Sequence, residues 1–88
     1  MNNEKKEAIK ILKISKGQIE ATIRMIEDER YCVDVSNQII AAQSLLKKAN
    51  LLILKQHMNH CVIEAIEQDK GSEKIDEIID LLSKIIGK

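Results

Sequence analysis

Apolar residues recur at helical spacing along nearly the whole chain, and two polar breaks divide them into three segments. From about Glu4 to Glu29, Ile9, Leu12, Ile19, Ile23 and Ile26 form one stripe, and Ile11, Ile14, Ala21 and Met25 form a second. Two stripes on one helix predict packing against more than one neighbour. Gly17 lies inside this segment, where glycine costs about 1 kcal/mol relative to alanine unless a close backbone contact offsets it. Glu27-Asp28-Glu29-Arg30 is the first polar break. A second segment, from about Val33 to Glu67, contains neither Gly nor Pro. In it Val35, Ile39, Ala42, Leu45, Leu46, Ala49, Leu52, Ile53 and Ile66 keep helical spacing, and Asp34 and Ser36 suit a first turn. Gln68-Asp69-Lys70-Gly71 is the clearest stop signal, with Gly71 expected as a left-handed cap. Ser72 is then expected to cap a short third helix carrying Ile75, Ile78, Ile79, Leu82, Ile85 and Ile86. The pattern predicts an all-α chain, a single domain over residues 1–88, with three helices and a long middle one.

Composition adds a quaternary expectation. There is no Pro, Trp or Phe and one Tyr, so the core is aliphatic. A small helical core of that kind gains its burial by oligomerising. Fourteen Lys and Arg balance fourteen Asp and Glu. The first helix is mildly basic, with Lys5, Lys6, Lys10, Lys13, Lys16 and Arg24 against Glu4, Glu7 and Glu20. That suits phosphate contact or an ordinary solvated lysine face, and falls well short of a strongly basic DNA-binding domain. The N-terminus lacks an apolar signal-peptide core, and the longest apolar run, Leu51 to Leu54, is far below a membrane span. The expected location is cytoplasmic, without a membrane partner, where two cysteines are free or metal-bound rather than disulfide-bonded.

Chemistry concentrates in three side chains. His57 and Cys61 are four residues apart and project from one helix face about a turn from each other. Such a pair arises often by chance; Cys32 is what gives it weight. Two thiolates and an imidazole suit Cu(I), and with a further ligand Zn(II) or Ni(II). If the middle helix is continuous, Cys32 and Cys61 lie on the order of 44 Å apart along it. One subunit then cannot close the site, whereas an antiparallel second copy brings its Cys32 to His57 and Cys61 and builds two equal sites. A break near Asn50 would instead let one chain fold back, but asparagine is a weak breaker. His60 points about 100° away from Cys61 on a helix, and Met58 also faces elsewhere. A cysteine nucleophile activated by His57 would need an orienting group and oxyanion donors, which this glycine-poor chain lacks, so an enzyme is not expected.

Five segments carry a resemblance: Gly17-Gln18-Ile19, Arg24-Met25-Ile26, Arg30-Tyr31-Cys32-Val33-Asp34-Val35, Gln38-Ile39 and His57-Met58-Asn59-His60-Cys61-Val62. Over Lys13 to Ile66 the chain resembles the copper-sensitive operon repressor family (CsoR/RcnR type). The resemblance implies an all-α protomer without a helix-turn-helix, an antiparallel dimer forming a four-helix bundle, and a homodimer or a dimer-of-dimers homotetramer. It implies a transcriptional repressor that binds operator DNA without metal and lets go when the effector binds. It assigns Cys32 of one copy with His57 and Cys61 of the other as Cu(I) ligands, and Tyr31 and Glu77 as outer groups linking the imidazole to the third helix. His57 argues against a persulfide-sensing branch, the lack of histidines before it against a nickel or cobalt branch, and Cys61 against a formaldehyde-responsive one. On the DNA side the implied contacts are Lys13, Lys16, Gln18, Lys47 and Lys48. Ile11, Ile14 and Gln43 stand where the family commonly has arginine, and lysine lacks arginine's fork for guanine edges. The alternative is therefore a copper-binding or buffering protein on the same scaffold, with weak or no operator binding.

Overall fold

The computed structural model describes residues 2–58, 67–68 and 71–87, and every regular element among them is a helix: α1 Asn3–Glu27, α2 Cys32–His57 and α3 Gly71–Ile86. Helix α1 opens on Asn2, whose backbone is extended and whose side-chain Oδ1 accepts the Lys5 N–H at 2.8 Å. A cap of this kind contributes about 1 kcal/mol. The expected polar break ends the helix. Arg30 N–H donates back to the Met25 carbonyl at 2.9 Å while Glu29 takes a left-handed backbone, φ 55°. That reverses the chain within four residues. Helix α2 then starts at Cys32, with Tyr31 at its N-cap and no side-chain cap bond.

The two long helices run antiparallel as a hairpin, and their shared seam follows a heptad rhythm. On α1 the residues turned inward are Ala8, Ile11, Ser15, Gln18, Thr22 and Met25; on α2 they are Val35, Gln38, Ala42, Leu45, Ala49 and Leu52. The steps alternate three and four, as a left-handed coiled-coil seam requires. Ala8, Ile11 and Ala49 form its buried centre, with Leu45 and Leu52 packed against them. Small side chains let the helices approach closely. Two of the buried residues are polar, and each satisfies its hydroxyl on its own helix: Ser15 Oγ donates to the Ile11 carbonyl at 3.0 Å and Thr22 Oγ1 to the Gln18 carbonyl at 2.7 Å.

Several expectations change at this level. The second stripe read on the first helix splits, because Ile11 is buried in the seam while Ile14 is 49% exposed. Among the described residues no neighbour approaches Gly17: a Cβ there would meet nothing within 4 Å. Gly71 opens α3 rather than capping the preceding helix, so Ser72 lies inside α3 instead of before it. Ile66 lies outside the described residues. The unbroken middle helix holds through Asn50 as far as His57, and Met58 keeps helical backbone angles (φ −61°, ψ −42°).

Helix α3 packs on α2, and among the described residues its backbone makes no close approach to that of α1. Its buried residue is Ile78, whereas Ile75, Ile79 and Ile86 are exposed. The protomer measures 56 × 30 × 12 Å, one helix thick, with a radius of gyration of 17.0 Å. A compact chain of this length has a radius of about 12 Å. The hairpin is thus a single layer with two open sides.

Candidate metal centre

Helix α2 places Cys32 at its first residue and His57 at its last. Twenty-five residues at 1.5 Å each set them about 38 Å apart. They nonetheless lie on the same face. Four depressions are strung along that side of the hairpin, and the α2 residues lining them succeed one another: Cys32, Ser36 and Ile39 in the first; Ile39, Gln43 and Leu46 in the second; Leu46, Asn50 and Ile53 in the third; Asn50, Ile53 and His57 in the last. The intervals are again threes and fours, so this is a second heptad stripe, one step round from the seam. From α1 the same depressions receive Ile26, then Ile19 and Ile23, then Leu12, then Lys5. Ile39, Leu46 and Ile53 are 40–43% exposed, and Ile26 is 58% exposed. The stripe begins on a thiol and ends on an imidazole.

The two ends differ. At the first, Cys32 is a free, exposed thiol beside the exposed ring of Tyr31, among Ile26, Glu29, Arg30 and Val35. At the second, His57 is half-buried in a cleft of about 590 Å³ closed on the far side by α3, through Glu77, Asp80, Leu81, Lys84 and Ile85. Glu77 therefore shares a cleft with His57, while its carboxylate pairs with Lys74 at 3.5 Å. Tyr31 lies at the opposite end of α2 from His57. Cys61 and His60 fall outside the described residues, and Met58 is exposed. Among the described residues no three His, Cys, Asp or Glu side chains converge to hold an ion. The donors are of the right chemistry for a soft cation, a thiol and an imidazole, but a single protomer holds them at opposite ends of a rod.

Of the residues expected to face DNA, Lys13, Lys16, Lys47 and Lys48 are exposed. Gln18 belongs instead to the seam: it is half-buried, with Oε1 shut off from solvent and without a hydrogen-bond partner. The lysines do not share one face. Helical geometry sets Lys13 and Lys47 opposite the seam on the two edges of the hairpin, Lys16 toward the Cys32–His57 side and Lys48 away from it. Of the three positions that depart from the arginine pattern, Ile11 is core, Ile14 is exposed and Gln43 lines the apolar stripe. Asn50, Lys5, Asp80 and Lys84 were not read as site residues from the sequence. Asn50 could have been found by extending the Cys32–His57 interval in heptad steps; the other three are brought in by α3 and the α1 terminus, which no local pattern foretells.

The arrangement defines an all-α protomer with a free thiol at one end of an exposed apolar face and an imidazole at the other. A family model for metal-sensitive transcriptional repressors matches residues 4–84, and the chain belongs to that family. It is 39% identical over 80 residues to a copper-sensing transcriptional repressor CsoR of Mycobacterium ulcerans, covering 91% of this chain and 68% of that protein. It is 37% identical over 83 residues to the Bacillus subtilis protein of the same name, covering 94% and 82%. A crystal structure of the copper-sensing repressor CsoR with Cu(I) from Geobacillus thermodenitrificans superimposes with a TM-score of 0.84 at 34% identity, covering 98% of this chain and 90% of that one. No described helix is long and apolar enough to cross a membrane.

Proposed function

We propose that this chain is a Cu(I)-responsive transcriptional repressor, binding operator DNA as a metal-free oligomer and released when copper binds. The observation that carries the reading is the placement of Cys32 and His57 at the two ends of one exposed apolar stripe on an unbroken helix. Two copies joined antiparallel along that stripe bring Cys32 of each level with His57 of the other. Cys61, one helical turn beyond His57 in sequence, supplies the second thiolate. Two thiolates and one imidazole form the three-coordinate soft set that favours Cu(I) over Ni(II) or Zn(II). Tyr31 then arrives with its neighbouring Cys32 from the partner copy, and Glu77 reaches the same cleft from α3, so both ends of the imidazole's surroundings change when the site closes. Lys13, Lys16, Lys47 and Lys48 supply phosphate contacts, which assembly must gather because one protomer scatters them. The curated relatives and the superimposed structure, named for copper sensing, support the metal and the repressor role together.

The test is Cu(I) titration of the reduced protein against a tight chelator, followed by operator binding on the same sample. Tight copper binding with loss of a salt-sensitive DNA complex is expected. Copper binding without any DNA complex, apo or loaded, would favour the buffering alternative, which the burial of Ile11 and the apolar setting of Gln43 keep specific: neither position offers DNA a cation.

A further inference from the structure

We infer that Gln43 sits at the two-fold axis between the copies and pairs there, amide to amide, with the Gln43 of the second copy; this rests on the reading above, in which Cys32 of one copy meets His57 of the other. Gln43 is an exposed amide in a groove otherwise lined by Ile19, Thr22, Ile23, Ile39, Ala42 and Leu46. A primary amide stranded on so apolar a wall is costly to cover unless its partner is supplied from outside.

The occupant follows from the ligand positions. In an antiparallel pair the axis passes through the midpoint of Cys32 and His57, between Ser44 and Leu45. Gln43 and the partner's Gln43 are then three residues apart in level, about 4.5 Å along the helices. If the partner's Cys32 sits midway between His57 and the turn beyond, the offset grows to about 7.5 Å, still within reach of two glutamine side chains. Gln43 is also on the face that the pairing covers, since it belongs to the Cys32–His57 stripe. The amides of a self-related pair are complementary: each NH₂ donates to the other's carbonyl oxygen.

Asn50, on the same stripe, is too far from the axis to meet its own copy, so the role falls to Gln43.

Charge swapping tests this. Gln43→Glu and Gln43→Lys each place two like charges across the axis, and each variant should self-associate roughly tenfold or more weakly than the parent in sedimentation runs. Mixed in equal amounts they should restore association, with heterodimer exceeding the statistical half of all dimers by native mass spectrometry. Parent-like association of each variant and statistical mixing would place Gln43 away from the axis and overturn the inference. Failure of the mixture to associate at all would overturn it too. Loss of tight copper binding in Cys32→Ala alongside statistical Gln43 mixing would spare the shared metal site and reject only the Gln43 pair. A parent chain monomeric at every concentration would reject both.

Discussion

The two heptad stripes of the hairpin use opposite materials. The inner seam, between α1 and α2, is built from Ala8, Ser15, Thr22, Ala42 and Ala49, with Ile11 the one large side chain that is fully buried. The outer stripe carries Ile19, Ile23, Ile39, Leu46 and Ile53, all left exposed by the protomer. Small residues give close approach but little apolar area, so the hairpin alone gains modestly from its own seam. Leu12 and Ile26 add to this exposed aliphatic surface on the side that ends on Cys32 and His57. In the proposed dimer folding and ligand assembly are coupled: covering the outer stripe completes the site, and completing the site rewards covering the stripe.

The largest effect should come from breaking the outer stripe. Leu46→Glu places a carboxylate beside the axis in each copy, and association should weaken by about a hundredfold or more, with tight Cu(I) binding lost in parallel. Sedimentation and chelator competition on one sample would show both; loss of association with copper affinity intact would mean that one chain closes its own site. Overfilling the inner seam is the contrasting case. Ala49→Leu inserts three carbons where the helices touch and should cost about 1–3 kcal/mol of stability, read by chemical denaturation. Its copper affinity at protein concentrations that keep it folded should stay near the parent's.

A smaller effect concerns DNA. Replacing Lys47 and Lys48 together by Ala removes two candidate phosphate contacts, and the slope of log affinity against log salt should flatten by about 2. An unchanged slope would show that α2 does not carry the nucleic-acid surface. Smallest is the cap of α1. Glu29 holds a left-handed backbone that glycine adopts freely, so Glu29→Gly should raise stability by about 0.5–1 kcal/mol without changing association.

The contrast also explains what could be read from the chain alone. Three helices, the polar turn after α1 and the unbroken passage through Asn50 were legible, because long aliphatic patterns without proline leave few other choices. The stripe of Ile9, Leu12, Ile19, Ile23 and Ile26 was legible as a face but not as an uncovered one. The inner seam was hidden because Ser15, Gln18 and Thr22 look like surface residues. Ser15 and Thr22 can be buried because their hydroxyls bond their own helix, which hydropathy does not register. Gly71 misled for a local reason: after a run of polar residues it reads as a cap, yet glycine is also tolerated as the opening residue of a helix. The separation of Cys32 and His57 was legible from counting alone. That Glu77 belongs near His57 came only from the resemblance, and their shared cleft needed α3 to be placed.

The claim on which everything else rests is that each metal site takes Cys32 from one copy and His57 from the other. It is tested most directly by mixing Cys32→Ala and His57→Ala proteins, neither of which should bind Cu(I) tightly by itself. In a mixed dimer one site recovers all its ligands and the other loses both, so tight binding should reappear at one ion per heterodimer. A mixture that exchanges subunits yet binds no more copper than its two components would contradict the account.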